Sequence, residues 1–282
     1  MEERLARIIA RSGRASRREA ERLVTEGLVQ VNGEVVLHPG HPVDVERDHI
    51  RVDGAPLPPP PPLIYLLLHK PKGYITTRND PEGRQSVLDL VGPLGARVEP
   101  VGRLDINTEG ALLLTNDGDL AHRLTHPKSE VPKRYLAKVW RVPSEETLER
   151  IRKGVRLEDG VTAPAKVRVL ATTKGGNAWV EITVTEGKNH LIRRIFATVG
   201  HPVSKLRRES VATVSIRGLE RGQVRTLTGE EIARLREIGE GVEPARAGQT
   251  SQYRPGFARP KPKPNKPLSR KKAAARRRKA RT

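Results

Sequence analysis

Gly102-Arg-Leu-Asp105-Ile-Asn-Thr-Glu-Gly110-Ala-Leu-Leu-Leu-Thr-Asn-Asp-Gly118 sets one carboxylate, Asp105, in a polar loop bounded by glycines. The apolar run Ala111–Leu114 follows directly, and Asn116-Asp117-Gly118 closes it with residues that tolerate positive φ and mark a turn. The pattern predicts a loop carrying one acid and a buried strand that holds it. Catalytic groups concentrate in loops on rigid scaffolds. On spacing alone, an aspartate serving an Asx turn is the simpler account.

On either side of this stretch, strand-like runs recur at 63–68, 111–115, 135–139, 166–170, 178–184 and 212–216. Helical patterns cover 144–152, where Pro143 precedes a good first turn, 191–199 and 229–238. Strands and helices that do not alternate regularly predict an α+β domain with a mainly antiparallel sheet, from Leu63 to about Gly241. No period suggests tandem repeats.

The first 54 residues form a separate pattern. Leu5, Ile8 and Ile9 have helical spacing, and Ser16 with Glu19 opens a second helix whose apolar positions are Ala20, Leu23 and Val24. Gly27 ends that helix. Leu28-Val-Gln-Val31, then Asn32-Gly33, then Glu34-Val-Val-Leu37 reads as a tight hairpin, and 50–52 as a further short strand. Arg11, Arg14, Arg17, Arg18 and Arg22 cluster at the turn between the helices. Taken alone they describe a solvated helix face. Residues 55–62, Ala-Pro-Leu followed by five prolines, predict a stiff extended spacer between two domains.

The chain has 282 residues, no cysteine and a formal net charge of +20. Lack of cysteine excludes a disulfide framework and cysteine-ligated zinc. The start carries no apolar signal core, and 63–68 is far too short to span a bilayer, so a cytoplasmic protein without membrane contact is expected. Charge is unevenly spread. Residues 244–282 hold 14 of the 53 Lys and Arg and none of the 33 acids, so this tail supplies +14 of the +20. Rich in charge and poor in apolar side chains, residues 242–282 are expected to be a disordered basic tail that attracts phosphates. His122 and His126 are four apart, but no third ligand is evident, and no metal is expected.

Gly-Arg-Leu-Asp105 followed by Thr-Glu-Gly110 and a leucine-rich strand resembles the active-site motif of RNA pseudouridine synthases, in their RsuA/RluB branch. The resemblance implies that Asp105 is catalytic. Glu186-Gly-Lys-Asn-His-Leu-Ile-Arg-Arg-Ile-Phe196 is similar to the family's third motif, which implies that Arg193 pairs with Asp105 and that Lys188 and Asn189 face RNA. Leu191 stands where that motif usually has a glutamine. Tyr135, in Lys133-Arg-Tyr-Leu-Ala-Lys-Val139, matches the family's active-site tyrosine. Arg103, beside the acid, would hold a phosphate or fill the vacated stack. Helix, basic turn, helix and Val-Asn-Gly hairpin resemble the small RNA-binding domain shared with a small-subunit ribosomal protein, the S-four type. That likeness turns Arg14, Arg17, Arg18 and Arg22 into RNA contacts.

The implied reaction detaches uracil from C1′ of ribose, turns it over and rejoins it through C5, without redox or hydrolysis, so neither cofactor nor metal is required. The implied partner is ribosomal RNA, of the large subunit, or a pre-ribosomal particle, met by a monomer. A small-subunit (16S) enzyme of the same branch, a non-catalytic ribosome-assembly factor and an RNA N-glycosidase using the same acid remain open at this point.

Overall fold

The computed structural model describes residues 2–78 and 80–239. The expected basic tail lies outside these residues.

The N-terminal part is built as its pattern predicts. Helices α1 (Leu5–Arg11) and α2 (Arg17–Thr25) pack together, with the Ser16 side chain accepting the Glu19 N–H to open α2. Strands β1 (Val29–Val31) and β2 (Glu34–Val35) join through Asn32 and Gly33, both at positive φ, which a two-residue turn of this hand needs. Strands β3 (Ile50–Val52) and β4 (Ala55–Pro56) complete a sheet of order β2-β1-β3-β4. Leu5, Ile9, Val24, Val29 and Val52 anchor its core. The spacer therefore begins as an edge strand. Proline is tolerated there because an edge needs no second donor.

The larger part is one twisted sheet. Its strands are β5 (Tyr65–Lys70), β6 (Glu109–Thr115), β7 (Lys133–Val139), β8 (Lys166–Thr172), β9 (Ala178–Val184), β10 (Val203–Val211) and β11 (Val224–Thr226), in the order β8-β9-β7-β10-β6-β5-β11. All neighbours are antiparallel except β10 and β6, which run parallel where Arg207 meets Glu109 and Arg208 meets Gly110. Two antiparallel half-sheets are thus fused along a single parallel seam.

Helices α4 (Glu145–Lys153) and α5 (Leu191–Thr198) cover one face of the first half-sheet, over Ala137, Val139, Val180 and Ile182. Helices α3 (Gly118–Thr125) and α6 (Gly229–Gly239) cover the other half-sheet, over Leu67, Ala111 and Leu113. The reverse side of β5 and β6 packs Leu66, Leu68, Leu112 and Leu114 under the segment 74–104.

Two features depart from expectation. Asn116-Asp117-Gly118 is more than a turn: Asp117 Oδ1 accepts the Leu120 N–H at 3.0 Å and starts α3. The long strand before residue 212 is β10, nine residues, and only Val214–Ser215 of the expected 212–216 strand returns against its end. The basic run Ser204-Lys-Leu-Arg-Arg-Glu hides β10, because its polar residues mask the alternation. No helix among the described residues is long and apolar enough to cross a membrane.

Candidate active site

Lys70 is the largest fully buried side chain of the described residues, and it explains the shape of the Asp105 loop. Its Nζ donates to the carbonyls of Asp105 (3.0 Å), Thr108 (2.9 Å) and Pro71 (3.1 Å), with Ile106 at 3.4 Å. An ammonium has three N–H groups, so these four carbonyls satisfy it fully and offset much of its burial cost. Burial pushes Lys70 down to about 8, partly opposed by the attraction of Asp105. Further ties close the loop. Gly73 N–H reaches Ile106 O at 2.9 Å, Thr76 Oγ1 donates to Leu104 O at 2.7 Å, and Thr108 N–H returns to Asp105 O at 3.0 Å.

One cross-strand row passes under this loop. Tyr135 on β7 opposes Arg208 on β10, Arg208 opposes Gly110 on β6, and Gly110 opposes Lys70 on β5. The β7–β10 register slips between Arg134 and Tyr135, a bulge that re-aims side chains beside the cavity. Gly110 sits at φ 121, and a Cβ there would lie 2.1 Å from the Arg208 carbonyl oxygen. Only glycine lets the two half-sheets approach at the seam.

The cavity above the row has a volume of about 470 Å³ and is lined by Arg103, Asp105, Tyr135, Lys188, Asn189, His190 and Arg208, among others. That is ample for one extruded nucleoside-sized group. Asp105 is partly exposed to it, and Nε2 of His190 lies 3.3 Å from its Oδ1. His190 caps α5 in the left-handed conformation, φ 49, which turns its ring toward the acid. Arg208 is 3% exposed; its Nε donates to Ala111 O at 2.7 Å, and its buried Nη2 has no protein partner. A buried guanidinium with an unspent donor, lining the same cavity as a carboxylate, is a ready anion or oxyanion holder. Lys133, also lining the cavity, donates to Val131 O and Thr185 O, and burial lowers it to about 8.

The sequence-derived site residues separate into four groups. Asp105, Tyr135, Arg103, Lys188 and Asn189 share the cavity. Arg193 does not line it: its Nη1 donates to Val203 O at 3.2 Å, tying α5 to β10. The expected Arg193–Asp105 pair is therefore absent; His190 lies nearest the acid, and Arg208 lines the same cavity. Arg17 and Arg18 line a second hollow of about 740 Å³ between α1–α2 and the larger part, which Arg103 also lines. Arg22 is held by Glu19 and Glu26 on the outer helix face, and Arg14 reaches Asp53 at 3.4 Å. Sequence reasoning missed Arg208, which lies in the hidden β10, and the burial of Lys70, whose Lys70-Pro-Lys-Gly73 turn reads as one that touches RNA.

An S4-like RNA-binding fold beside a bulged sheet that carries one acid over a buried cationic row defines an RNA-modifying enzyme. Residues 64–198 match the family model for RNA pseudouridylate synthase, and residues 3–50 that for the S4 domain. Ribosomal large subunit pseudouridine synthase B of Bacillus subtilis is 45% identical over 239 residues, covering 84% of this chain and 97% of that one. The protein of the same name from Yersinia pestis is 40% identical, covering 85% and 77%. A crystal structure of a pseudouridylate synthase superposes with a TM-score of 0.60 at 31% identity, covering 82% of this chain and 99% of that one. The chain belongs to the RNA pseudouridine synthase family.

Proposed function

We propose that this chain isomerises one uridine of large-subunit ribosomal RNA, free or in a pre-ribosomal particle, acting as a cytoplasmic monomer. The family membership supports the reaction, and the two named large-subunit relatives support the choice of RNA. The observation that carries the site assignment is the row Tyr135–Arg208–Gly110–Lys70 beneath the Asp105 loop.

In this reading the target uridine leaves its stack, at a cost of a few kcal/mol that is smallest in loops and bulges. Asp105 acts at C1′ as the N1–C1′ bond breaks. Uracil turns over, C5 bonds to C1′, the C5 proton departs and N1 takes one up. Tyr135 stacks on the base and lies where that proton leaves. Arg208, through its unspent Nη2, holds the acid or a neighbouring phosphate, and His190 supports the carboxylate from the α5 side. Lys70 keeps the loop rigid from below. Arg103, exposed at the cavity rim, faces the RNA backbone.

The test is chemical mapping of pseudouridine on 23S and 16S RNA from a deletion strain carrying wild-type protein or Asp105→Asn. One large-subunit site is expected to reappear with wild type alone, and the purified variant to be slower by at least about 1,000-fold. Modification that persists with Asp105→Asn would refute the role of the acid. A restored 16S site would refute the choice of RNA.

A further inference from the structure

The chain has two tryptophans, Trp140 and Trp179, and neither belongs to any of its four core clusters. In a protein with only 3% aromatic residues, the two largest apolar side chains are expected in the core. Their common neighbourhood gives the reason. Ala137 and Val139 of β7 face α4 and α5, so strand alternation turns Leu136 and Lys138 to the opposite face. There Lys138 is aligned with Trp179 on β9 and with Lys205 on β10. In the next row Leu136 is aligned with Glu181 and Arg207, and Glu181 is ion-paired with Arg168 of β8. None of these residues except Leu136 is buried, and no described helix contributes to a core cluster with them.

Trp140 stands just past the end of β7, 49% exposed, with the Arg141 guanidinium 4.0 Å from its ring centroid. Its backbone is fixed on both sides. Trp140 N–H donates to Pro202 O at 3.1 Å, His201 Nδ1 lies 2.9 Å from the Trp140 carbonyl oxygen, and Arg141 N–H donates to Asn177 Oδ1 at 3.1 Å. Arg141 is held at φ 59, a conformation that residues with a Cβ avoid. A large exposed ring on a pinned, strained turn is a preformed surface. Five basic residues lie on these rows or at the turn beside them, Lys138, Arg141, Arg168, Lys205 and Arg207, against Glu181 and Glu209.

We propose that this open sheet face is a second RNA platform, on which unpaired bases of a long substrate stack upon Trp140 and Trp179 while Lys138, Lys205 and Arg141 meet the phosphates. Exposed aromatics among basic side chains are the means by which proteins hold single-stranded RNA. The proposal rests on the reading that this chain acts on RNA. The face lies on the side of the sheet away from the cavity, and Trp140 is five residues along the strand from Tyr135, roughly 17 Å. A minimal stem-loop seated in the cavity does not reach it. A ribosomal RNA fragment with single-stranded flanks does.

The experiment uses the full chain with two RNAs, a minimal stem-loop around the modified uridine and the same stem-loop with long unpaired flanks. Because both tryptophans of the protein sit here, tryptophan fluorescence, excited where tyrosine does not absorb, reports on this face alone. Flanked RNA is expected to quench it, and the minimal stem-loop to leave it unchanged. Trp140→Ala is expected to raise KM for flanked RNA about tenfold, with kcat and the KM of the minimal RNA unchanged and with Trp140→Phe restoring most of the loss. Lys138→Glu with Lys205→Glu, both surface changes, is expected to weaken flanked RNA without changing kcat. Equal KM for flanked RNA in all variants, with no quenching, overturns the platform. So does quenching by a ribosomal protein and not by RNA, since the occupant is then a protein. Wild type that forms no pseudouridine defeats the functional reading instead, and the binding data still decide the platform.

Discussion

Lys70 carries its charge where a charge is expensive, and its effect on the Asp105 loop has a measurable pH signature. Burial brings it down to about 8 from an ordinary value of 10.5. Between those two values the unfolded chain keeps a proton that the folded chain has released, so stability from this group rises with pH across the window. Activity runs the other way. Above about pH 8 the ammonium anchor of Asp105 becomes a neutral amine, and kcat is expected to fall. Lys133 is also lowered to about 8, so the two must be separated. Lys133→Met is expected to keep the alkaline limb, and Lys70→Met to lower kcat about 100-fold and flatten it. A limb that vanishes in Lys133→Met and survives in Lys70→Met assigns it to the wrong lysine. The arginines make a parallel comparison. Arg208→Met is expected to cost about 100-fold in kcat, whereas Arg193→Met, which removes one bond to Val203 O, is expected to cost only about 1 kcal/mol of stability. Asp105 could be read from the sequence because acid, glycine and leucine occur in a distinctive order around it, whereas Tyr135 followed only from the family resemblance. Lys70 could not, since a lysine beside proline and glycine looks exposed until four carbonyls are seen to converge on it.

At the scale of elements, the seam between β6 and β10 brings the site together. Two of the four residues in the row, Arg208 and Gly110, lie on the two strands that meet only there, and Gly110 allows the approach. Gly110→Ala puts a methyl group against the Arg208 backbone at an unfavourable φ, and is expected to destabilise the fold by roughly 3 kcal/mol. Thermal unfolding of the variant measures this. A loss below 1 kcal/mol would mean that the seam opens easily and that the row is not rigid. The half-sheets themselves were legible: 178–184 is a strand end to end, and the helices at 144–152 and 191–199 are found within a residue. Their alternation and capping are local signals. The seam was not legible, because β10 pairs in parallel with a strand about a hundred residues earlier and its side chains are charged on the open face. Helix α3 was missed for a related reason: an Asn-Asp-Gly triplet serves equally as a turn and as a helix cap.

At the scale of the whole molecule, two sources of positive charge are expected to act on RNA at different ranges. The hollow between the N-terminal helices and the larger part gathers Arg7, Arg11, Arg17, Arg18, Arg97 and Arg103, and Arg7 is paired with Asp119 across it. These guanidiniums are held near the cavity, so they are expected to contribute to placing a particular RNA. The 14 basic residues of 244–282 carry more charge than that and none of the surrounding acid. Their contribution is counterion release, which has no sequence preference and scales with the phosphates neutralised, at about 0.7 units of log–log salt slope per phosphate on single strands. Removing 244–282 is therefore expected to flatten the salt dependence of RNA binding by several units and to weaken binding most at low salt. Turnover at saturating RNA is expected to stay unchanged, since the row and the described lining of the cavity lie within residues 70–211. Arg17→Ala is expected to do the reverse, with a slope change of one unit or less and a loss of affinity that persists at high salt. Binding isotherms at four salt concentrations distinguish the two. If truncation abolished turnover at saturating RNA, the tail would have to complete the catalytic centre, and the division between steering charge and placing charge would be wrong.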